Sequence, residues 1–249
     1  MNKLKSMTAS VAIALALVGC KSDLLENEAG MSALGGVLTA ATVSENEVIN
    51  SAKLSAQEMD KKSKVAPANS LYTKRLDRLV SKYQQVDGLK LNYKVYLSKE
   101  MNAFAMPDGT VRVYSGLMDI LSDQELLSVI GHEIGHVKLK HSFNQYKQTL
   151  LAASAREGIT AAGGTVADLA QSQLGEIALQ FVNAQFSQSD ELEADVYGVA
   201  FMKQRGLNPN AAVSAFQKLK RYSGEGGGLL SSHPATSERI NKIKAEIAK

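Results

Sequence analysis

The chain has 249 residues, of which 45% are hydrophobic, and its formal net charge is +3. This length is enough for one sizeable hydrophobic core, with or without a tail. The near-neutral charge, the absence of tryptophan and the lack of a basic run interleaved with aromatic residues argue against a nucleic-acid-binding surface.

Residues 1–19 have the pattern of a cleaved lipoprotein signal peptide. Lys3 and Lys5 supply its positive charge, and the apolar stretch 7–18 is too short for a comfortable transmembrane helix. The stretch ends in Leu-Val-Gly before Cys20, which resembles a bacterial lipobox, so we expect lipid on Cys20. Removal of this leader leaves 26 basic and 25 acidic residues (28 − 2 = 26), a charge of about +1.

Cys20 is the only cysteine, which rules out an intrachain disulfide. A core residue or a reactive thiol is the alternative interpretation of a lone cysteine. Several acyl chains anchor a protein stably where one does not. Residue 21 is Lys21 rather than Asp, which by resemblance to Gram-negative sorting rules favours the outer membrane, facing the periplasm. An uncleaved inner-membrane anchor at residues 7–19 is the competing prediction.

Residues 20–43 are rich in small and polar residues and predict a lipidated tether, followed by one domain over 44–249. A capping box of Ser44 and Glu47 predicts a helix that ends near Lys62. Alternating apolar residues and a Pro-Asp-Gly turn then predict a small sheet before a run of helices. Before the motif helix we predict a helix from 69 or 70 to about 86 and strands around 93–97, 103–106 and 110–114. After a helix over 122–140 comes an apolar stretch, 151–170, that is too charged to span a membrane. The last predicted elements are a helix over 174–204, a helix starting at Asn208-Pro209, a flexible loop at 224–228 and a final helix carrying Ile240, Ile243 and Ile247. The predicted fold class is α+β and mostly helical.

Residues 132–136 read His-Glu-Ile-Gly-His, within the helix predicted over 122–140. Positions i and i+4 share a helix face, so His132 and His136 project side by side and can bind one zinc ion. Glu133 beside them can handle a proton for a metal-bound water. The helix is predominantly apolar, and metal ligation is a reason to bury such polar side chains in it.

A third metal ligand has to come from another part of the chain. The metzincin spacing fails, because that pattern needs a histidine where this chain has Ser142, and His141 lies on a different helix face. Glu191 and Asp195 stand at i and i+4 on a later helix, so Glu191 can complete a His2Glu site and Asp195 can orient a ligating histidine. Glu193 is the rival ligand, but it points to another face.

Two less specific interpretations compete with this site. Acidic residues on a helix are most often a solvated face, which is what the segment around Glu191 would indicate on its own. A structural zinc site is the second interpretation. Such sites normally have four Cys or His ligands, and the absence of cysteine from the domain argues against one here. The pairing of this segment with the His132–His136 helix favours a catalytic centre instead.

The Glu191-x-x-Ala194-Asp195 arrangement with His-Glu-x-x-His resembles the HtpX-type and CAAX-prenyl-protease-type gluzincin metallopeptidases. The likeness covers most of the chain after about residue 65, and its other segments are Asn102–Met106, Val113–Leu117, His233-Pro234 and Arg239-Ile240. It implies a zinc metalloprotease domain with one Zn2+ per chain and a small β-sheet next to the active-site helix. Family members often have arginine where this chain has Gln188, which concerns a local salt bridge rather than the metal site.

The resemblance also implies how a substrate is held. The segment formed by Asn102, Ala103, Phe104 and Ala105 is expected to be an edge strand that pairs with an extended polypeptide, which reads backbone more than side chains. Such a substrate is unfolded or in a loop, so we expect unfolded or misfolded envelope proteins as substrates, in protein quality control. Outer-membrane assembly machinery or another protease are candidate partners.

Two residues near the C-terminus each have two alternative roles. Relatives place a histidine like His233 near the active site, where it either caps the open position of zinc in a latent state or steadies the transition state. The alternative is a helix cap or surface residue, as is usual for a lone histidine before proline. Arg239 is either a site residue or a helix-surface charge.

Zinc held by His132, His136 and Glu191 would lower the pKa of its water to about 7, with Glu133 as general base and then general acid. One rival hypothesis is a non-catalytic, lipid-anchored chaperone or assembly factor that retains the zinc-site fold. Glu133 argues against it, because zinc binding needs no glutamate there. A second rival is a zinc hydrolase that acts on peptidoglycan or another amide.

Overall fold

A computed structural model describes residues 43–156, 169, 171–222 and 228–249. The signal peptide, nearly all of the tether, most of the 151–170 stretch and most of the 224–228 loop lie outside these residues. The described helices are α1 (Glu45–Lys62), α2 (Leu71–Val80), α3 (Ser115–Ile120), α4 (Asp123–Lys138), α5 (His141–Arg156), α6 (Gln171–Asn183), α7 (Gln188–Gln204), α8 (Asn210–Tyr222), α9 (Leu229–Ser232) and α10 (Ser237–Ala248). The described strands are β1 (Gln85–Val86), β2 (Leu89–Lys90), β3 (Asn92–Tyr96), β4 (Ala103–Ala105) and β5 (Thr110–Tyr114). The predicted α+β, mostly helical fold is confirmed, and no helix in the described ranges is long and apolar enough to cross a membrane.

The main sheet has three strands in the order β3-β5-β4, with β3 parallel and β4 antiparallel to β5. The predicted hairpin between β4 and β5 is confirmed. Its turn requires glycine, because Gly109 has φ 86° and a Cβ there would lie 2.1 Å from the carbonyl oxygen of Lys90. Because the strand order is β3-β5-β4, β4 lies at an edge of this sheet, and it packs beside α4.

The sheet separates two hydrophobic clusters. On one face Val95, Val111 and Val113 pack with apolar residues of α4, α7 and α8. On the other face Tyr96 and Phe104 pack with apolar residues of α1, α5 and α6. Because the strand period is two, neighbouring residues of each strand serve different clusters.

Helix α4 lies at the centre of the molecule. It starts at the predicted capping box, in which the Ser122 hydroxyl accepts from the Glu125 amide and the Glu125 carboxylate accepts from the Ser122 amide. Every residue from Glu125 to Val137 is buried. A helix enclosed in this way cannot leave its polar side chains to water, so each of them needs a partner within the protein.

Glycines bring α4 and α7 into close contact. A Cβ on Gly131 would lie 2.7 Å from the ring of Phe201, and one on Gly135 would lie 3.2 Å from a carbonyl oxygen of α7. In return, Gly198 of α7 faces the backbone of α4, where its Cβ would lie 3.3 Å from the amide nitrogen of His132. The two helix backbones are therefore as close as glycine permits, which sets the distance between the side chains they carry.

The predicted helix from residue 69 or 70 to about 86 is wrong after Val80. Helix α2 ends at Val80, and residues 85–90 form the antiparallel hairpin β1-β2. The turn of this hairpin is Asp87-Gly88, with φ values of 50° and 85°, and Asp-Gly is a strong hairpin turn. The turn chemistry therefore overrides the apolar periodicity that favoured helix.

The predicted helix over 174–204 is two helices, α6 and α7, separated by residues 184–187. Helix α7 has its own capping box, in which the Ser187 hydroxyl accepts from the Asp190 amide and the Asp190 carboxylate accepts from the Ser187 amide. This reciprocal cap satisfies donors that a continuous helix would bond internally, so it stabilises a new helix start.

Candidate metal centre

Four side chains from three parts of the chain meet next to α4. His132 and His136 project from α4, Glu191 from α7, and His233 directly follows α9; one ligand atom from each lies within 4.8 Å of the others. The two α4 histidines face each other with their Nε2 atoms 3.0 Å apart, as the i, i+4 spacing predicts. His233 Nδ1 lies 2.8 Å from Glu191 Oε1. This is the metal-binding cluster of the described chain.

The distances and charges of this cluster fit a metal ion. Two nitrogens bound at about 2.0–2.1 Å to one tetrahedral ion are about 3.3 Å apart, close to the 3.0 Å between His132 and His136. Burial lowers the pKa of His136 well below its usual value, which keeps the imidazole neutral and its lone pair free. Glu191 Oε1 lies 3.4 Å from His136 Nε2 and supplies a carboxylate to the same point.

Glu191 is ionised although it is only 2% exposed. Burial opposes ionisation, but the charge of His233 and hydrogen bonds with His136 and His233 lower the pKa of this carboxyl below its usual range. A buried anion beside imidazole nitrogens that can each offer a lone pair is suited to binding a cation.

Glu133 lies within the same enclosure and is 2% exposed. Burial raises the pKa of its carboxyl, an effect that nearby His233 and His132 oppose. Its Oε1 lies 3.7 Å from His233 Nε2 and has no hydrogen-bond partner among the residues that the structure describes. A buried carboxyl with a free oxygen beside a metal cluster is placed to accept a proton.

Asp195 lies behind His132, one helical turn from Glu191. Its Oδ1 is 3.0 Å from His132 Nδ1, the nitrogen that faces away from the cluster. Burial raises the pKa of Asp195, but the hydrogen bonds from Arg239 and the close contact with His132 lower it by more, so the net shift is downward. The structure thus places Asp195 where it can fix the orientation of His132, as the sequence predicts.

Arg239 is a buried residue of this centre, and the prediction of a helix-surface charge is wrong. It is 1% exposed, and its Nη1 lies 2.5 Å from Glu191 Oε2. The same nitrogen donates to the carbonyl oxygen of Pro234 at 3.0 Å, and the guanidinium lies 4.6 Å from the ring centroid of Phe216. Arg239 therefore contacts Oε2 of Glu191, while Oε1 of the same carboxylate faces His136 and His233.

His233 is also buried, at 4% exposure, so the surface alternative for this residue is wrong. The helix-cap alternative is confirmed, because the His233 amide donates to Leu229 O at 2.9 Å at the end of α9. The segment that carries it is fastened at both ends of α9. The Leu229 amide donates to the carbonyl oxygen of Met101 at 2.8 Å, and the Gln185 side-chain amide donates to that of Ser231 at 2.8 Å. As a result α9 and His233 cover the cluster.

Two contacts of the site escape sequence reasoning. The Phe186 ring stacks on His136 with centroids 3.9 Å apart and an interplanar angle of 27°. His141, dismissed as a ligand, is absent from the four-residue cluster, but its Nδ1 lies 3.2 Å from His136 Nδ1. For His141, the spacing of five residues from His136 was the sequence signal that could have indicated this contact. No sequence signal indicated the contact of Phe186, because this residue lies in the unpredicted break between α6 and α7.

The edge strand β4 presents backbone groups on the side away from β5. The Tyr114 amide donates to Asn102 O at 2.9 Å and the Met106 amide to Thr110 O at 2.8 Å, so the even-numbered residues of β4 face β5. Ala103 and Ala105 therefore direct their amide and carbonyl groups outward. The Ala103 amide donates to the Asn102 side chain at 2.9 Å.

An apolar cavity lies beside the cluster, between α4, α7, α8 and α9. Its polar lining residues include His132, Asp195, His233 and Arg239, and most of the rest of its wall is apolar. Apolar residues that line it include Val129, Val199, Ala212, Ala215, Leu219 and Leu229.

Cys20, the predicted lipidation site, lies outside the described residues.

The comparisons with known proteins agree with this geometry. Residues 70–247 match the model of peptidase family M48. The chain is 38% identical to the metalloprotease LoiP of Escherichia coli (strain K12), covering 97% of this chain and 96% of LoiP. It is 36% identical to the metalloprotease YcaL of the same organism, covering 100% of this chain and 99% of YcaL.

A more distant relative is the beta-barrel assembly-enhancing protease of Escherichia coli (strain K12), at 28% identity over 66% of this chain and 35% of that protein. The family match spans α2 to α10 and includes every residue of the four-donor cluster. With the cluster and the near full-length relatives, it shows that the chain belongs to peptidase family M48 and is a metalloendopeptidase.

Proposed function

We propose that this protein is a zinc-dependent endopeptidase, anchored in the outer membrane by lipid on Cys20, that cleaves unfolded or misassembled envelope proteins in the periplasm. The observation that carries the proposal is the buried cluster of His132, His136 and Glu191, with Glu133 at its side. A His2Glu donor set is typical of catalytic zinc, and among the described residues Oε1 of Glu133 has no hydrogen-bond partner that would explain it as a packing residue.

His132, His136 and Glu191 would hold the metal, while Asp195 and Arg239 keep two of these ligands in place. When bound, zinc supplies Lewis-acid chemistry that activates water and polarises the peptide carbonyl. Glu133 takes the proton of the attacking water and delivers it to the leaving amine as the peptide bond breaks. The enclosure by α9 keeps bulk water away from these groups.

His233 acts as a cap in the resting state. Its Nδ1 is part of the four-donor cluster, so it fills the position that a substrate carbonyl would need. Since α9 and His233 cover the cluster, substrate entry requires this segment to move. The protein is therefore latent until α9 is displaced.

The substrate class follows from the strand next to the site. The outward-facing carbonyl groups of Ala103 and Ala105 and the Ala105 amide can pair with an extended polypeptide, whatever its side chains. Only an unfolded chain or a loop can adopt that conformation, which suits quality control. A relative named beta-barrel assembly-enhancing protease supports envelope proteins as substrates and assembly machinery as a partner.

The cavity beside His132 is suited to one apolar side chain of the substrate next to the scissile bond. Ala212→Leu would narrow it, so we expect cleavage of a peptide series to shift toward small residues at one position. An unchanged preference would contradict this role. Exposed Lys220→Leu on the same helix is the control.

Zinc content and casein cleavage test the function, with the full chain in detergent and Glu133→Gln as the matched variant. We expect one zinc per chain in both proteins and cleavage by the parent alone. Zinc in both with cleavage by neither, even after His233→Ala, would support the non-catalytic alternative. Absence of zinc from both would overturn the ligand assignment.

The anchor is tested by the mass of the mature N-terminus. Lipid attached to an N-terminal Cys20 is expected, and Cys20→Ser should abolish both lipid and cleavage of the leader. An unmodified Cys20 within an uncleaved chain would favour the inner-membrane anchor. Fractionation of the two membranes then tests the outer-membrane location.

A further inference from the structure

The turn between α4 and α5 folds the chain back onto the metal cluster. Helix α4 ends at Lys138, and Lys140 adopts a left-handed conformation with φ 64°. The chain reverses there, so His141 at the start of α5 returns to the side of α4 that carries His136. His141 is 6% exposed, and its Nδ1 lies 3.2 Å from His136 Nδ1.

Only one proton can lie between two nitrogens at this distance, and the cluster decides which ring owns it. His136 Nε2 faces the other donors, 3.0 Å from His132 Nε2 and 3.4 Å from Glu191 Oε1. A nitrogen that binds metal carries no proton, so the proton of neutral His136 is on Nδ1. His141 Nδ1 must then be the acceptor, and the proton of His141 is on Nε2.

The far side of His141 meets this requirement. Its Nε2 lies 3.4 Å from Glu193 Oε2 and 3.6 Å from Asp190 Oδ1, two carboxylates at the surface of α7. An Nε2–H directed at carboxylates is favoured over a lone pair directed at them. Glu193, which the sequence offered as a rival ligand, thus lies at the end of this chain of contacts.

We propose that His141 is the positioning residue for His136, accepting its Nδ1 proton so that Nε2 presents a lone pair to the metal. This inference rests on the proposed zinc site and extends it. Phe186 stacking fixes the plane of the His136 ring, but a stacked ring can still present either edge. The contact with His141 selects the edge. His132 uses a carboxylate, Asp195, at the equivalent place.

Substitution of His141 separates positioning from packing. His141→Phe keeps a planar ring but has no acceptor, whereas the Oδ1 of His141→Asn can take the place of Nδ1. We expect the zinc dissociation constant of the Phe variant to rise about 10- to 100-fold, and that of the Asn variant to remain near the parent value. Gln148→Ala, at an exposed position of α5, is the control.

The measurement is zinc competition against a chelator, with the full chain in detergent and Glu133→Gln in every variant to prevent self-cleavage. Nitrogen-15 NMR of the zinc-loaded parent should show protons on His136 Nδ1 and His141 Nε2. Equal zinc affinity of the parent and the Phe variant, equal loss in the Phe and Asn variants, or the opposite tautomers would overturn the inference. A parent that binds no zinc would overturn the metal site as well.

Discussion

Arg239 and Asp195 form a buried ion pair with two contacts, in which Nε and Nη2 of the guanidinium each donate to a different carboxylate oxygen at 2.7 Å. Both side chains are 2% exposed. The third nitrogen of the same guanidinium contacts Glu191. One cation from α10 therefore neutralises two carboxylates of α7, and it joins the last helix to the metal centre.

Arg239→Ala is expected to lower the free energy of unfolding by about 3–5 kcal/mol, because it leaves two buried carboxylates without their cation. Denaturant unfolding measures this, and zinc content measures the effect on Glu191. Arg239→Lys keeps the charge but not the forked geometry, so we expect an intermediate loss. Arg221→Ala, at an exposed site on α8, should change neither. Full stability of the Ala variant would show that Asp195 and Glu191 do not depend on this pair.

His233→Ala should activate the enzyme, because it removes the fourth donor that caps the cluster. We expect faster casein cleavage than by the parent, with zinc retained through His132, His136 and Glu191. The measurement is initial rate per bound zinc. Slower cleavage would assign His233 to the transition state instead of the cap, and an unchanged rate would contradict both roles.

Gly131→Ala is expected to destabilise the protein by about 1–3 kcal/mol, because its Cβ would lie 2.7 Å from the Phe201 ring and force α4 and α7 apart. Zinc affinity should fall with stability, since the two helices carry different ligands. Thermal unfolding and chelator competition test both effects. In the control Gly175→Ala the new Cβ meets only the flexible end of Lys62, so little loss is expected. Equal behaviour of the two variants would show that the close approach is not needed.

Asp60 makes the stability of the fold depend on pH. It accepts hydrogen bonds from Arg112, Lys94 and Tyr96, which join α1 to the sheet. Burial raises the pKa of Asp60, but these hydrogen bonds outweigh burial and hold the pKa of this carboxyl below its usual range. The pKa of Asp60 is lower in the folded chain than in the unfolded chain. The stabilisation is therefore fully present at pH values above the unfolded-state pKa, and it is lost as the pH falls through the folded-state pKa.

Asp60→Asn should therefore lower the free energy of unfolding by about 2 kcal/mol at neutral pH, and the difference from the parent should shrink below about pH 4. Urea unfolding of metal-free protein at several pH values measures this without interference from zinc. Asp77→Asn, at an exposed position, is the control. A difference that does not change with pH would mean that the Asp60 charge is not what stabilises the contact.

The part of the site that could be predicted is the part encoded within single helices. His132 and His136, and likewise Glu191 and Asp195, are brought to one face by the i, i+4 spacing alone. The burial of Arg239 depends instead on how α10 packs against α7, and no local pattern encodes that.

The errors in the helices have a similar origin. Apolar periodicity extended α2 beyond Val80 to about residue 86, just before the Asp87-Gly88 turn, and it merged α6 with α7 across the Ser187 cap. The Ser187 cap uses Asp190 where the usual capping box has Glu or Gln, which is why the pattern was missed. Phe186 could not be placed without that break.

His132 and His233 meet at 3.4 Å although 101 residues separate them along the chain, and Arg239 comes later still. During synthesis, the helix with both α4 histidines therefore leaves the ribosome long before its cap and its buried cation. A nascent or truncated chain has the motif without the ion pair that steadies Glu191 and Asp195. The described metal centre is therefore complete only once α10 has packed against α7 and brought Arg239 to Glu191.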